Sequence, residues 1–238
     1  DSAVPWCSAT GRYLNERPNF TFDPLLHAGV YYVQEAASMF VDHIVRTFIK
    51  EPVRMLDLCA APGGKSTALR AALPEGSVLF SNEPMRTRAQ ILSENLQKFG
   101  HEDVIVTNNY PRDYRKAGIM FDAILADVPC SGLGVIAKKP EIRGKTEAEI
   151  SALPAIQRDI LDNLSAYVKR DGVLLYSTCT VLRAENEDVV NAFLADDGEF
   201  APEGFNVGGV SEPSGMHCFW PNVDGTDGFF AAKLRRIK

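Results

Sequence analysis

Met55-Leu56-Asp57-Leu58-Cys59-Ala60-Ala61-Pro62-Gly63-Gly64-Lys65 is the stretch of this chain that decides the fold. It opens with apolar residues, as a buried strand does, and then changes to small residues and glycines. A strand that runs into such a loop before a helix is typical of the first unit of an open α/β sheet. Ligands bind these sheets outside the carboxyl ends of the strands, so the loop predicts one side of a cleft.

Strands and helices alternate after this stretch. The sequence predicts strands over residues 53–58, 77–81, 103–107, 121–126, 172–177 and 228–234. It predicts helices over 32–49, 66–73, 85–99, 147–168 with an interruption at Pro154, and 185–194. Residues 198–225 are rich in Gly, Pro and Asn, and the sequence assigns no strand or helix to them. This alternation predicts an α/β fold with a mostly parallel sheet and helices on both faces. We expect a lead-in and its helix over residues 1–50, packed on a catalytic domain over 51–238.

Composition limits the class of protein. The 238 residues are 45% hydrophobic and 24% charged, as in ordinary globular domains, and no apolar run is long enough to span a membrane. Five irregularly spaced cysteines argue against a disulfide framework, so a reducing, cytoplasmic location is expected, and no metal site is predicted. The net charge of −6 argues weakly against nucleic acid, yet one short segment is basic, with Lys138, Lys139, Arg143 and Lys145.

The glycine loop has two interpretations. Gly63-Gly64-Lys65-Ser66 resembles the end of a phosphate-binding loop, and Asp127 after the strand at 121–126 resembles the metal-binding aspartate that accompanies one. A phosphate-binding loop also needs a glycine five positions before its second one, where this chain has Cys59. A nucleotide triphosphatase is therefore disfavoured.

An adenosyl ligand without phosphates suits the loop better. Glu83 ends the second predicted strand, where an acid accepts hydrogen bonds from ribose hydroxyls, although it could instead be a solvated helix cap. Small residues let the backbone approach a ligand closely, here Ala60, Ala61, Gly63 and Gly64. The common ligand of this kind is S-adenosylmethionine.

Two cysteines follow predicted strands, Cys130 after Asp127-Val128-Pro129 and Cys179 after Ser177-Thr178. Addition of a thiolate to C6 of cytosine makes C5 nucleophilic towards a methyl sulfonium, which is covalent catalysis by cysteine. Asp127 is placed to hold the base and protonate it as charge develops, and Lys65 to pair with Asp127 or contact the base. The residues themselves leave open which cysteine attacks. The remaining three are expected to be structural: Cys7, Cys59 and Cys218.

These motifs together resemble the Sun/Fmu-type RNA cytosine-C5 methyltransferases. The resemblance rests on Leu58–Lys65, Asp127–Gly132, Tyr176–Thr180 and the closing segment Asp227–Leu234. It implies a Rossmann-like class I fold that uses S-adenosylmethionine. It also implies a cofactor site formed by Cys59, Ala60, Ala61, Pro62, Gly63, Gly64, Lys65, Glu83, Tyr110 and Asp127.

The resemblance also orders the two thiols. It implies that Cys179 is the nucleophile and that Cys130 assists release of the methylated base, with Asp127 and Lys65 as further catalytic residues. DNA cytosine methyltransferases use the cysteine of the Pro-Cys motif instead. One departure concerns adenine, because the aspartate that the family places after the third strand corresponds to Tyr110 here, with Asp113 as a possible substitute.

The sequence combines features of two branches of this family, which act on ribosomal RNA. Val4-Pro5-Trp6-Cys7 and residues 31–36 resemble the F type of ribosomal RNA enzyme, whereas residues 132–136 through 153–157 resemble the B type. The resemblance implies a monomeric enzyme acting on RNA, with 16S ribosomal RNA as the expected substrate. A tRNA-directed enzyme, a noncatalytic RNA-binding assembly factor and a small-molecule methyltransferase are the alternatives. Neither paired cysteines nor the basic segment would be needed by the last of these.

Overall fold

A computed structural model of the protein describes residues 2–7, 9–100, 102–114 and 118–238. Within these ranges, an eight-stranded sheet forms the centre of the molecule. Its strands are β3 Arg54–Asp57, β4 Val78–Asn82, β5 Val104–Thr107, β6 Phe121–Asp127, β7 Val168–Thr178, β8 Phe200–Pro202, β11 Met216–Phe219 and β12 Phe229–Arg236. Neighbouring strands follow the order β11-β12-β7-β6-β3-β4-β5, with β8 beside β12. Two separate hairpins pair β1 Ser2–Ala3 with β2 Arg12–Tyr13, and β9 Phe205–Val207 with β10 Val210–Glu212.

Strands β3 to β7 are parallel, and β12 adds to β7 in the antiparallel sense. Strand order reverses between β3 and β6, because the chain first adds β4 and β5 on one side and later β6 and β7 on the other. Open α/β sheets bind ligands at such a reversal, outside the carboxyl ends of the strands. The fold therefore places its cleft beside Asp57 and Asp127.

The helices are α1 Pro24–His27, α2 Phe40–Phe48, α3 Gly64–Ala72, α4 Arg86–Gln97, α5 Glu147–Ser151, α6 Leu153–Ser165, α7 Glu187–Asp196 and α8 Pro221–Asp224. Because side chains alternate along a strand, the sheet has two apolar faces. Met55, Ala123 and Leu125 share one core with α2 and α3. Leu56 and Ile124 share the other core with α6 and α7. Both faces of the sheet are covered, as a largely parallel sheet requires.

The predicted Rossmann-like fold is confirmed, but the predicted bounds of two helices were wrong, and one region without a predicted element contains strands. The helix expected over 32–49 begins at Phe40, after a short 3-10 turn at Ala37–Met39. The helix expected over 147–168 is two helices separated at Ala152, and Val168 already belongs to β7. The region 198–225 contains β8 to β11, two of which extend the central sheet. No helix of the described ranges combines the length and hydrophobicity needed to cross a membrane.

Candidate active site

The two cysteines that follow strands lie side by side. Strands β6 and β7 are parallel neighbours, with Asp127 opposite Ser177, so the loops that follow them leave the same edge of the sheet. The Sγ atoms of Cys130 and Cys179 are 3.2 Å apart, within hydrogen-bonding distance for sulfur. Both residues are partly exposed. Neighbouring strands thus convert a separation of 49 residues in sequence into a thiol pair that a substrate can reach.

Close backbone packing holds the two cysteine loops together. The N–H of Gly134 donates to the carbonyl of Cys179 (3.0 Å), and the N–H of Gly228 donates to the carbonyl of Gly134 (2.9 Å). A Cβ at Gly134 would lie 2.2 Å from the Gly228 carbonyl oxygen and 2.7 Å from that of Cys179. Only glycine allows this approach, because the neighbouring atoms belong to the backbone and cannot rotate away.

Asp127 ends β6 between the thiols and the glycine loop. Its Oδ2 forms an ion pair with Lys65 Nζ at 2.9 Å, and its Oδ1 accepts a hydrogen bond from Ser177 Oγ at 2.8 Å. Burial is the largest influence on the pKa of Lys65 and lowers it, but the charge and hydrogen bond of Asp127, together with the charges of Cys179 and Asp57, raise that pKa overall. Lys65 is therefore a stable ammonium group in a largely buried position. The predicted pairing of Lys65 with Asp127 is present.

The pKa values of the two thiols are shifted in opposite directions. A hydrogen bond from Cys130 lowers the pKa of Cys179, with the Lys65 charge in support and with burial and Asp127 opposing. The pKa of Cys130 is raised, first by that same hydrogen bond and then by burial. Either sulfur can donate this hydrogen bond, and the charge of Lys65 adds to the lowering of the Cys179 pKa. Because the thiolate is the reactive form, Cys179 is favoured as the nucleophile.

The glycine loop joins β3 to α3 and is held from α4. Gly63 adopts φ 116°, a left-handed conformation that glycine tolerates, and caps the N-terminus of α3. Arg88 Nη2 donates to the Ala61 carbonyl at 2.9 Å, and Asn95 Nδ2 donates to the Pro62 carbonyl at 2.8 Å. Between them these bonds fix the small-residue segment. The Cys59 thiol in this loop stays neutral, because burial raises its pKa and nearby carboxylates add to that effect.

Glu83 follows β4 beside the loop. Its side chain is only 1% exposed, so a solvated cap is excluded, although Oε1 does accept the N–H of Met85 at 3.0 Å. Oε2 lies 3.2 Å from Arg88 Nη1, yet it has no hydrogen-bond partner among the described residues. Sequence reasoning missed Asn82, which donates to the carbonyls of Leu58 and Asn109 and so ties the loops after β3, β4 and β5 together.

Asp57 lies at the bottom of the cleft. It is fully buried, its Oδ2 accepts a hydrogen bond from Ser66 Oγ at 2.7 Å, and its Oδ1 has no partner among the described residues. Burial raises the pKa of Asp57 to about 7, although the Ser66 bond opposes this. Asp57 Oδ1 and the Glu83 carboxylate are acceptors beside a loop of small residues, and the second of them pairs with Arg88. Such acceptors suit a ligand that donates hydrogen bonds from hydroxyl and ammonium groups, so these residues fit S-adenosylmethionine.

The residues considered for the adenine end lie farther out. Tyr110 is 57% exposed after β5, and the Arg112 guanidinium is 5.6 Å from its ring centroid. Asp113 Oδ2 accepts the backbone N–H of Tyr110 at 3.0 Å, so this carboxylate is already used in the local turn. Tyr110 thus leaves more than half of its surface exposed after β5, whereas one oxygen of Asp113 is occupied in the local turn.

Of the four residues of the basic segment, Lys138, Lys139, Arg143 and Lys145, two are bound to other groups and two are exposed. Lys138 Nζ pairs with Asp227 at 2.8 Å, and Lys145 Nζ donates to the carbonyls of Ser131 at 2.7 Å and Cys130 at 3.3 Å. Lys139 and Arg143 are exposed, and no ion pair involves them within the described ranges. Lys145 thus supports the Cys130 loop, while Lys139 and Arg143 are the cations open to a polyanion.

Comparison with known proteins agrees with this geometry. The family model described as 16S rRNA methyltransferase RsmB/F matches residues 49–235, and the N-terminal domain of 16S rRNA methyltransferase RsmF matches residues 1–36. The chain belongs to the RsmB/F methyltransferase family. This confirms the predicted resemblance.

Individual relatives of the RsmB/F family cover nearly the whole chain. Ribosomal RNA small subunit methyltransferase F of Shewanella loihica is 32% identical over 98% of this chain, and that of Salmonella paratyphi A is 34% identical over 98%. In both cases the chain spans 51% of the relative's length, or about half. Single F-type relatives thus match both halves of the sequence, including the part with B-type features.

Two solved structures are similar to this chain in both fold and sequence. NSun6 from Pyrococcus horikoshii, solved with SFG, has a TM-score of 0.79 and 29% identity, covering 93% of this chain and 57% of that one. A methyltransferase homologue from Pyrococcus horikoshii also has a TM-score of 0.79, with 26% identity, covering 99% of this chain and 77% of that one.

Proposed function

We propose that this chain methylates C5 of cytosine in 16S ribosomal RNA, using S-adenosylmethionine and a covalent adduct to Cys179. The observation that carries the proposal is the thiol pair, with sulfurs 3.2 Å apart, next to the Lys65–Asp127 ion pair. Membership of the RsmB/F family supports the substrate, and a related structure solved with SFG, an analogue of S-adenosylmethionine, supports the cofactor.

The first step uses the acidity of Cys179. Its thiolate, favoured by Cys130 and Lys65, attacks C6 of the target cytosine, so a C6–S bond forms and the C5–C6 π electrons move to C5. Asp127 binds the exocyclic amine and N3 side of the base, and Lys65 neutralises the charge that develops there. When bound, S-adenosylmethionine supplies the methyl group that the activated C5 accepts.

The second step uses Cys130. Methylated C5 still carries its proton. Once Cys179 is bonded to C6, Cys130 loses its proton to solvent water, and the resulting thiolate, beside Cys179, removes the proton from C5. The electron pair of the C5–H bond then re-forms the C5–C6 double bond, the C6–S bond breaks, and Cys179 leaves as a thiolate. The pKa of Cys130 is raised first by its hydrogen bond to Cys179, and that contribution ends when Cys179 is bonded to C6.

Residues of the glycine loop and its neighbours hold the cofactor. We assign Glu83 to the ribose hydroxyls and Tyr110 to the adenine ring. The remaining contacts come from Cys59, Ala60, Ala61, Pro62, Gly63, Gly64, Lys65 and Asp127. We further propose that residues 1–50 form a lead-in to a catalytic domain at 51–238. Since one copy supplies all these residues, we propose that the chain acts as a monomer, in the cytoplasm where its RNA substrate lies.

The test is methyl transfer from labelled S-adenosylmethionine to 16S ribosomal RNA, 30S subunits or tRNA, with bisulfite sequencing of the product. We expect 5-methylcytosine in 16S RNA or 30S subunits, no product with Cys179→Ala, and normal product with the control Cys218→Ala. Label confined to tRNA would establish the tRNA-directed alternative. Binding of 16S RNA without any methyl transfer would favour the noncatalytic assembly factor.

A further inference from the structure

One short turn contacts both cysteine loops. Glu185 and Asn186 are adjacent residues just before α7, and both side chains are fully buried. Glu185 Oε2 accepts the backbone N–H of Ser131, the residue after Cys130, at 2.8 Å. Asn186 contacts the residues on either side of Cys179. Neither side chain reaches a sulfur atom through any hydrogen bond found among the described residues.

On the Cys130 side, the turn acts with a glutamine of α6. Gln157 Nε2 donates to Glu185 Oε2 at 2.9 Å and to the Pro129 carbonyl at 3.0 Å. The backbone is therefore held immediately before Cys130 through Gln157 and immediately after it through Glu185. Gln157 is itself fully buried, so water does not compete for these bonds.

On the Cys179 side, Asn186 uses both ends of its amide. Its Oδ1 accepts the hydroxyl of Thr178 at 2.6 Å, and its Nδ2 donates to the carbonyl of Thr180 at 3.0 Å. Asn186 thus holds the side chain immediately before Cys179 and the backbone immediately after it. The two loops also meet directly, because the hydroxyl groups of Ser131 and Thr180 are 2.8 Å apart.

We propose that Glu185 and Asn186 are positioning residues that set the distance between the two active-site sulfurs. Glu185 fixes the loop that carries Cys130, and Asn186 fixes the loop that carries Cys179. Because they are neighbours in one turn, the positions of the two loops are coupled. The geometric part of this proposal stands on the hydrogen bonds alone, whereas its catalytic consequences rest on the proposed function.

Disulfide formation measures the distance without RNA or cofactor. Diamide, an azo oxidant, removes two electrons and two protons from a pair of thiols and becomes a hydrazine, while an S–S bond forms. The reaction requires sulfurs that can approach to about 2.05 Å. We expect rapid Cys130–Cys179 linkage in the wild-type chain, quantified by peptide mass spectrometry. Glu185→Ala and Asn186→Ala should each slow it by at least ~10-fold, because the geometric demands of a disulfide are strict.

Conservative variants separate positioning from folding. Glu185→Gln keeps an acceptor oxygen for Ser131 and should stay close to the wild-type rate. Thr178→Val removes one bond to Asn186 with little change in shape and should slow linkage even if Asn186→Ala does not fold. Gln157→Met serves the same purpose for Glu185. The matched control is Asp188→Asn, an exposed residue two positions after Asn186 whose partner is Arg183.

Formation of the covalent RNA complex is the second measurement, and we expect it to differ between the two variants. Glu185→Ala should behave like Cys130→Ala and accumulate a covalent RNA complex, whereas Asn186→Ala should fail to form the complex. Folded Glu185→Ala and Asn186→Ala variants with wild-type linkage rates would overturn the positioning proposal, whatever their activity. Wild-type linkage that depends on both residues, in a chain that methylates no RNA, would uphold it and overturn the proposed function instead.

Discussion

Replacement of Gly134 by alanine tests the close packing that joins the cysteine loops. The new Cβ would lie 2.2 Å from the Gly228 carbonyl oxygen and 2.7 Å from the Cys179 carbonyl oxygen, both closer than real contacts allow. Relief requires the backbone to separate, which would break the bonds from Gly134 to Cys179 and from Gly228 to Gly134. Neither bond can be replaced by a change of rotamer.

The magnitude follows from these two effects. Loss of two backbone hydrogen bonds costs about 1–3 kcal/mol net, and overpacking costs about 1–3 kcal/mol more, so Gly134→Ala should lower the free energy of unfolding by about 2–6 kcal/mol. Urea unfolding followed by circular dichroism measures this. The matched control is Gly144→Ala, since a Cβ at Gly144 meets nothing within 4 Å. It should leave stability within about 1 kcal/mol of the wild-type value. A loss below about 1 kcal/mol for Gly134→Ala would contradict the reasoning.

Three further outcomes are expected. The pKa of Asp57 is about 7 in the folded state and ~3.9 in the unfolded state. Between these pH values only the native state keeps the proton, so the free energy of unfolding falls as pH rises, by up to about 1.4 kcal/mol per pH unit. Asp57→Asn should flatten that slope in urea unfolding at several pH values, and an unchanged slope would count against the buried, protonated carboxyl. Glu83→Ala should weaken S-adenosylmethionine binding in calorimetry by about 1.5–3 kcal/mol, and unchanged affinity would refute the ribose assignment. Joint replacement of Lys139 and Arg143 by alanine should make the slope of log K for RNA binding against log salt concentration shallower by about 1.4. Lys169→Ala, at the opposite edge of the sheet, is the control and should leave that slope unchanged. Equal slopes for the double variant and the wild-type chain would identify Lys139 and Arg143 as ordinary surface cations.

Sequence reasoning located the thiols because the signal is local. A strand pattern followed by Pro129-Cys130 or by Thr178-Cys179 predicts a loop at the sheet edge, and parallel neighbours bring such loops together. The residues alone gave no local signal for which thiol is the more acidic. The lowered pKa of Cys179 comes first from the hydrogen bond of Cys130 and is supported by the charge of Lys65, and only the fold brings these groups together.

Residues that hold the site gave weaker signals. Asn82 and Glu185 act through backbone groups of distant loops, and no spacing in the sequence marks such a bond. No spacing in the sequence marks Gly134 either, because its need for glycine comes from the Gly228 carbonyl, 94 positions later in the chain. The strands within 198–225 were missed because they are short and rich in turn residues, and pairing with β12 stabilises the two that join the central sheet.

The central claim is that Cys179 attacks the base and Cys130 releases it. The most direct measurement is mass-spectrometric mapping of the covalent complex that Cys130→Ala forms with substrate RNA and S-adenosylmethionine. The account predicts a methylated cytidine linked through C6 to the peptide that contains Cys179, and no complex in the Cys130→Ala, Cys179→Ala double variant. A nucleotide on any other residue, or a complex that accumulates in Cys179→Ala with Cys130 intact, would contradict it.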